Sequence, residues 1–253
     1  MLTLYFSGTD NSAFVARQLA DGLGGACRSI EENAEFSALI QSSDTIAFVY
    51  PIYVSRIPRI MREFVAAHRG DLHGKQLVIV CTQMRFSGDG ARCFTDLLDK
   101  NSYTVLYAEH VTMPNNVSNM PFFHPQDAQT VRRIVEDAKR QVNAVCADIK
   151  AGRVVKRGFN IGSRLLGLTQ AFMFPLMEKA MGKNVRISDA CNGCGWCVQH
   201  CPTHNLKLEN GKATAGKNCT LCYRCLNGCP QRAVNLYFKG KVKWQYQGIK
   251  IDK

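Results

Sequence analysis

Two runs near the C-terminal end, CNGCGWCVQHCP (residues 191–202) and CTLCYRCLNGCP (219–230), share one spacing: C-x2-C-x2-C-x3-C followed by Pro. They hold eight of the twelve cysteines, and this repeat constrains the fold more than any other feature. Structural zinc draws two ligands from one knuckle and two from a separate one. Three thiolates within seven residues suit instead a cubane, whose iron corners lie close together. A disulfide framework is not expected, because the opening MLTLYFSG has no basic region ahead of an apolar stretch and does not read as a secretory leader. Pro202 and Pro230 fix φ and remove a donor just after each run, steering the chain away. Gly193, Gly195 and Gly228 let the backbone come close to the sulfides.

The run resembles the bacterial ferredoxin signature for [4Fe–4S] clusters, in which the fourth cysteine ligates the other cluster. That resemblance implies crossed sets. Cys191, Cys194, Cys197 and Cys229 would hold one cluster, and Cys219, Cys222, Cys225 and Cys201 the other.

Residues 1–150 alternate strand and helix. The stretches 2–6, 26–30, 45–51, 76–82 and 103–111 read as strands, and 45–51 and 76–82 are near-continuous apolar runs, as parallel strands buried on both faces should be. Helices are expected at 11–23, 59–68 and 90–100. A further one carries Val131, Ile134, Val135, Ala138, Val142, Val145 and Ile149 on one face. The fold class is α/β, a doubly wound parallel sheet of five strands, followed by a small α+β unit around the cysteines. The expected division is 1–150, a connector at 151–184, and 185–253.

In YFSGTDNSAFVA a strand runs into small polar residues that open a helix. Successive backbone N–H groups and the helix N-terminus make a phosphate cradle. Its candidate residues are Ser7, Gly8, Thr9, Asp10, Asn11 and Ser12. No GxxxxGK[ST] or G-x-G-x-x-G run accompanies it, so neither nucleotide hydrolysis nor a dinucleotide site is indicated. In a flavodoxin-like sheet FMN sits at the switch point between strands 1 and 3. Two further loops follow predicted strands. Pro51, Ile52 and Tyr53 can cover a planar ring, and Thr82, Gln83, Met84 and Phe86 offer a second wall, with Gly88 and Gly90 permitting close approach. Arg85 and Arg92 are expected mainly in solvent.

SGTDNS resembles a flavodoxin phosphate loop. The whole order is similar to the EFR1 family of flavodoxin–ferredoxin fusion proteins, on YFSGTDNS, YPIYVSRIP, HVTMPNN and both cysteine runs. The resemblance covers nearly the whole chain and implies electron transfer, with two [4Fe–4S] clusters and FMN as cofactors. Asp10 stands where the family usually has Gly. Asp tolerates the left-handed region, but its carboxylate suits a phosphate site only if it points away.

The formal charge of +12 is uneven: residues 1–150 carry −1, 151–182 carry +4 and 183–253 carry +9. Two oxidised clusters and a flavin phosphate would bring the total to about +6. The remaining excess fits an acidic redox partner, a ferredoxin or reductase. Lys239, Lys241 and Lys243 are expected along one exposed face of a strand. No groove-reading motif suggests nucleic acid. No apolar run approaches the roughly 20 residues that span a bilayer, and the cysteine content suits a reducing, cytoplasmic setting. The stretch from Leu165 to Met177 reads as part of a helical connector that also covers the flavin; with Arg153, Lys156, Arg157 and Arg164 before it, a peripheral contact with an anionic bilayer is the alternative.

No catalytic triad or carboxylate pair stands out. His110 and His124 are candidates for proton delivery, although a structural role is commoner for a histidine. The expected function is electron transfer between two clusters and FMN in one chain. The alternative is an FMN-dependent reductase of a small organic acceptor, a quinone or enone, fed by the clusters.

Overall fold

The computed structural model describes residues 1–120, 122–172 and 174–249, without the side chain of Met177. Met173, Met177's side chain and the last four residues of the expected cysteine unit therefore lie outside the described residues.

The first half is built on β1 (Leu2–Tyr5), β2 (Ala26–Ser29), β3 (Thr45–Pro51), β4 (Gln76–Gln83) and β5 (Thr104–Thr112), all parallel. Between them run α1 (Asn11–Leu23), α2 (Phe36–Gln41) and α3 (Arg59–Ala67), and α4 (Ala128–Lys150) follows β5. Strand order is β2-β1-β3-β4-β5, extended by β6 (Val155–Lys156). Alternation in β3 sends Ile46, Phe48 and Tyr50 into one core and Ala47 and Val49 into the other. The second core is closed by Phe14, Val15 and Leu19 of α1 and by Ala138, Val142 and Val145 of α4, the face that their spacing predicts.

Three local expectations need correction. The sheet has six strands, not five: the chain leaving α4 returns beside β5 and pairs Tyr107 with Val155 and Ala108 with Lys156. This covers an edge that would otherwise present unpaired backbone groups. Residues 90–100 hold only a 3₁₀ turn at Arg92–Leu97. Arg92 is drawn to both Asp89 and Asp96, and the Thr95 hydroxyl bonds back to the Arg92 carbonyl. Such local side-chain bonds compete with a regular helix. Lys239, Lys241 and Lys243 are exposed but lie in an irregular segment rather than on a strand.

After β6 come α5 (Ile161–Ala171) and α6 (Phe174–Gly182). Then β7 (Val185–Ile187) pairs antiparallel with β10 (Val234–Leu236), and β8 (Leu206–Glu209) with β9 (Lys212–Ala215). Two short helices, α7 (Trp196–Gln199) and α8 (Arg224–Gly228), complete this smaller unit. α5 meets the larger domain closely at Gly88, where a Cβ would collide with the backbone of Gly167 and Ser163. Gln170 fixes the contact by accepting from the Gly88 N–H at 3.0 Å and from the Ser55 hydroxyl.

Candidate functional site

The eight motif thiols surround two small cavities. One is lined by Cys191, Cys194, Cys197 and Cys229, the other by Cys201, Cys219, Cys222 and Cys225. The fourth cysteine of each run thus stands with the first three of the other. All twelve cysteines are free. Among the described residues no three His, Cys, Asp or Glu side chains close on a single-ion site. Two thiols in each quartet accept a backbone N–H: Cys191 from Ala213 at 3.4 Å, Cys229 from Ala233 at 3.3 Å, Cys201 from Asn205 at 3.2 Å and Cys219 from Leu221 at 3.3 Å. These donors favour thiolate sulfur, whereas burial pushes the Cys197 thiol up to about 11 and Cys222 up to about 12. Cys194 is exposed, whereas Cys222 belongs to the core of the larger domain.

The glycines divide in their roles. Gly193 and Gly195 take positive φ. A Cβ on Gly228 would strike the Trp196 ring, so its bareness seats an indole.

The second site lies at the carboxyl ends of β1, β3 and β4, the switch point of the sheet. A cavity of about 590 Å³ there brings together Ser7, Gly8, Thr9, Asn11, Ser12, Pro51, Ile52, Tyr53, Thr82, Gln83, Met84 and Phe86. Asp10, Gly88 and Gly90 do not line it. Gly90 backs onto Ile52, and Gly88 onto α5.

The loop's own chemistry fits a phosphate group. Arg224, inside the second cysteine run, donates to the carbonyls of Ser7 (2.8 Å) and Gly8 (3.3 Å). In a trans peptide the N–H points opposite the carbonyl, so the Gly8 and Thr9 N–H groups are turned away from Arg224. The hydroxyl of Ser7 is buried without a hydrogen-bond partner among the described residues, a costly arrangement unless a ligand satisfies it. Other polar groups are already engaged: Asn11 with Pro114 and Tyr246, Ser12 with Thr82, and Thr9 with Asn116. Asp10 has φ of 66° and its exposed side chain faces a separate groove beside Tyr246 and Gly248. Its carboxylate therefore points away from the cavity.

Met113 and Asn116, from the HVTMPNN stretch, and Phe174 and Met181, from the connector, also line the cavity, whereas Leu221 and Tyr223 escaped sequence reasoning. Leu221 and Tyr223 carry a usable signal. They occupy the positions in the second run that Gly193 and Gly195 occupy in the first. All four residues take positive φ, at 59°, 61°, 72° and 75° respectively. Leucine and tyrosine pay sterically for that conformation where glycine does not. Bulk retained under strain, beside a thiol of the second quartet and on the wall of the cavity, makes both positions candidates for a functional role.

The candidate proton donors lie elsewhere. His110 is buried outside the cavity and accepts from the Ala91 N–H at 3.1 Å. Burial, with Arg157 nearby, brings its pKa down to about 4, so it is neutral at pH 7. His124 borders a different groove, with Lys239, Lys241 and Lys243.

Comparison with known proteins accords with this geometry. Residues 2–142 match the flavodoxin domain family and residues 185–207 the 4Fe–4S binding domain family. The first match spans more than half the chain, so the protein belongs to the flavodoxin domain family. With the second it is a flavodoxin–ferredoxin fusion, an iron–sulfur flavoprotein of electron transfer that uses FMN and a [4Fe–4S] centre. No curated protein matches. Among solved structures, Fusobacterium nucleatum flavodoxin bound to flavin mononucleotide is 12% identical, covering 59% of this chain and 96% of its own, with a TM-score of 0.41. The flavodoxin, WrbA-like protein from Agrobacterium tumefaciens is 15% identical, covering 60% and 98%, also at 0.41. Megasphaera elsdenii flavodoxin is 18% identical, covering 55% and 99%, at 0.39.

If Ser7 serves the phosphate, Ser7→Ala removes a bond to a charged acceptor, a loss of about 1.5–3 kcal/mol. FMN titration should then show binding weaker by about tenfold or more, whereas Asp10→Gly should leave the dissociation constant within about twofold. A large tightening in Asp10→Gly would mean that the carboxylate does face the phosphate.

Proposed function

We propose that the chain is an intramolecular electron conduit joining two [4Fe–4S] clusters to one FMN. Cys191, Cys194, Cys197 and Cys229 hold the outer cluster, near solvent through Cys194. Cys201, Cys219, Cys222 and Cys225 hold the inner one. The observation that carries this reading is the shared wall: Leu221 and Tyr223 flank Cys222 in the chain and line the flavin cavity.

Bound FMN would supply one- or two-electron chemistry beside centres that exchange single electrons. The chain's residues supply binding and insulation. Ser7 and the turned N–H groups hold the phosphate; Ile52, Tyr53, Met84 and Phe86 flank the ring. Leu221 and Tyr223 exclude water between ring and inner cluster, and Gln170, Phe174 and Met181 close a further side. Such walls support a carrier that hands electrons between proteins in a reducing cytoplasm. The reductase of a small quinone or enone is a second reading, favoured by Phe86 and Phe122, which line the cavity yet are exposed.

Anaerobic purification should yield about eight iron and eight sulfide per chain. Cys201→Ala should leave the same residual cluster spectrum as Cys219→Ala, and a different one from Cys191→Ala. A Cys201→Ala spectrum matching Cys191→Ala would overturn the crossed sets.

The external donor in this reading is an acidic redox protein, a ferredoxin or reductase, drawn to the basic smaller unit. Lys239, Lys241 and Lys243 border a groove of about 380 Å³. In stopped-flow mixing with an acidic ferredoxin, reduction should slow as salt rises, and reversing all three charges should slow it about tenfold at low salt. A rate indifferent to both would leave these lysines as a solubilising edge.

A further inference from the structure

α5 is built inside out. Its buried positions are Gly167 and Ala171, while Ile161, Leu165, Leu168 and the following Phe172 are exposed, at 76%, 60%, 57% and 80%. At about 100° per residue these four fall within roughly 60° of one another, a single stripe about 16 Å long. Leu176, on α6, is exposed as well. A helix that packs a domain normally turns its leucines inward and its small residues outward. Here the small residues are required inside: Gly167 lies against Asp89, where a Cβ would collide with the carboxylate. Large side chains are therefore excluded from the packed side, but nothing in that packing requires leucine, isoleucine and phenylalanine on the other.

The chemistry around the stripe selects its occupant. Lys156, Arg164, Lys179 and Lys183 are exposed, and among the described residues none has an ion-pair partner. Residues 151–183 contain one carboxylate, Glu178, and it is turned to Arg62 at 2.7 Å. The hydroxyl of Thr169, next to Leu168, is satisfied within the helix by the Leu166 carbonyl. The stripe thus offers apolar side chains and unpaired cations without a directional hydrogen-bonding group of its own. A folded protein surface is read by such groups; a fluid apolar layer beneath anionic headgroups needs none. Among the described residues no helix is long and apolar enough to cross a membrane, so the segment would lie along the interface, with its lysines reaching the headgroups.

We propose that the outward face of α5 and the adjoining part of α6 docks the protein onto anionic bilayers. Phe86, 65% exposed, lines the flavin cavity in the loop whose Gly88 packs on the inner side of α5. The inference concerns the surface alone and holds whichever electron acceptor the protein serves.

Co-sedimentation of the full-length holoprotein with lipid vesicles tests it. Vesicles of phosphatidylcholine with phosphatidylglycerol should bind the protein, pure phosphatidylcholine should bind it weakly, and rising salt should release it. Leu165→Gln/Leu168→Gln/Phe172→Gln should weaken binding at least about tenfold while the visible spectrum of flavin and clusters is unchanged. Arg164→Glu/Lys179→Glu should lose the preference for anionic lipid, giving a second reading should the triple variant fold poorly. The proposal is overturned if neither vesicle binds, or if binding survives both variants. It is also overturned if light scattering shows a dimer that the triple variant dissolves, since a second copy of the chain would then be the occupant.

Discussion

The architecture depends on one junction, where the loop after β1 meets the second cysteine run. A Cβ on Gly8 would collide with the Cys222 carbonyl, so the two backbones touch directly. Arg224 spans the seam, donating to the Ser7 and Gly8 carbonyls, to the His200 carbonyl and to Glu31 at 2.7 Å. A guanidinium suits this place because its planar fork can serve several acceptors at once. The same bonds turn peptide N–H groups away from Arg224, so the seam that joins the domains also shapes the candidate phosphate cradle. Around it the Ser118–Asn227–Asn116 chain, the Asn119–Leu236 bond and the Tyr246–Asn11 bond of 2.6 Å extend the contact. Among the described residues each half keeps a buried core of its own, and Cys222 of the smaller unit is packed into that of the larger.

Much of this is legible in the sequence, and for identifiable reasons. Parallel strands buried on both faces announce themselves as apolar runs, and β3 and β4 do so. The long amphipathic helix α4 carries its periodicity over six turns. The thiol quartets are legible because the spacing places three thiols every third residue, and the ferredoxin resemblance implies that the fourth stands with the other run. What escapes is whatever depends on a distant neighbour. The two-residue strand β6 has no pattern of its own and exists because β5 offers an open edge. Residues 90–100 have apolar content enough for a helix but are pinned by the carboxylates of Asp89 and Asp96. Gly88 reads as room for a ligand, and it is room for a helix.

The repeat itself holds the most instructive hidden clue. Gly193 and Gly195 set the conformation that the motif demands, and Leu221 and Tyr223 adopt the same conformation against their steric preference. Setting one run beneath the other singles out both positions from the residue types alone. Their strain is of the order of 1–2 kcal/mol each, small beside the stability of a domain, yet a cost borne at two aligned positions calls for a benefit elsewhere. In the function proposed above, that benefit is a dry wall between the second thiol quartet and the flavin cavity, which both side chains line. The exposed stripe of α5 follows a similar logic, in which tight packing dictates one face and leaves the other to be explained by what it meets.

Completion of the flavin site by the smaller domain is tested most directly by Tyr223→Gly. Glycine accepts the positive φ without strain, but it also removes a ring that is only 9% exposed in the core of the smaller unit. That loss is larger than the strain relieved, so the variant should melt below the parent yet remain folded at the temperature of the titration. It should nevertheless bind FMN about tenfold more weakly, because one wall of the cavity is gone. Equal or tighter FMN binding by the folded variant would contradict a flavin site that needs both domains.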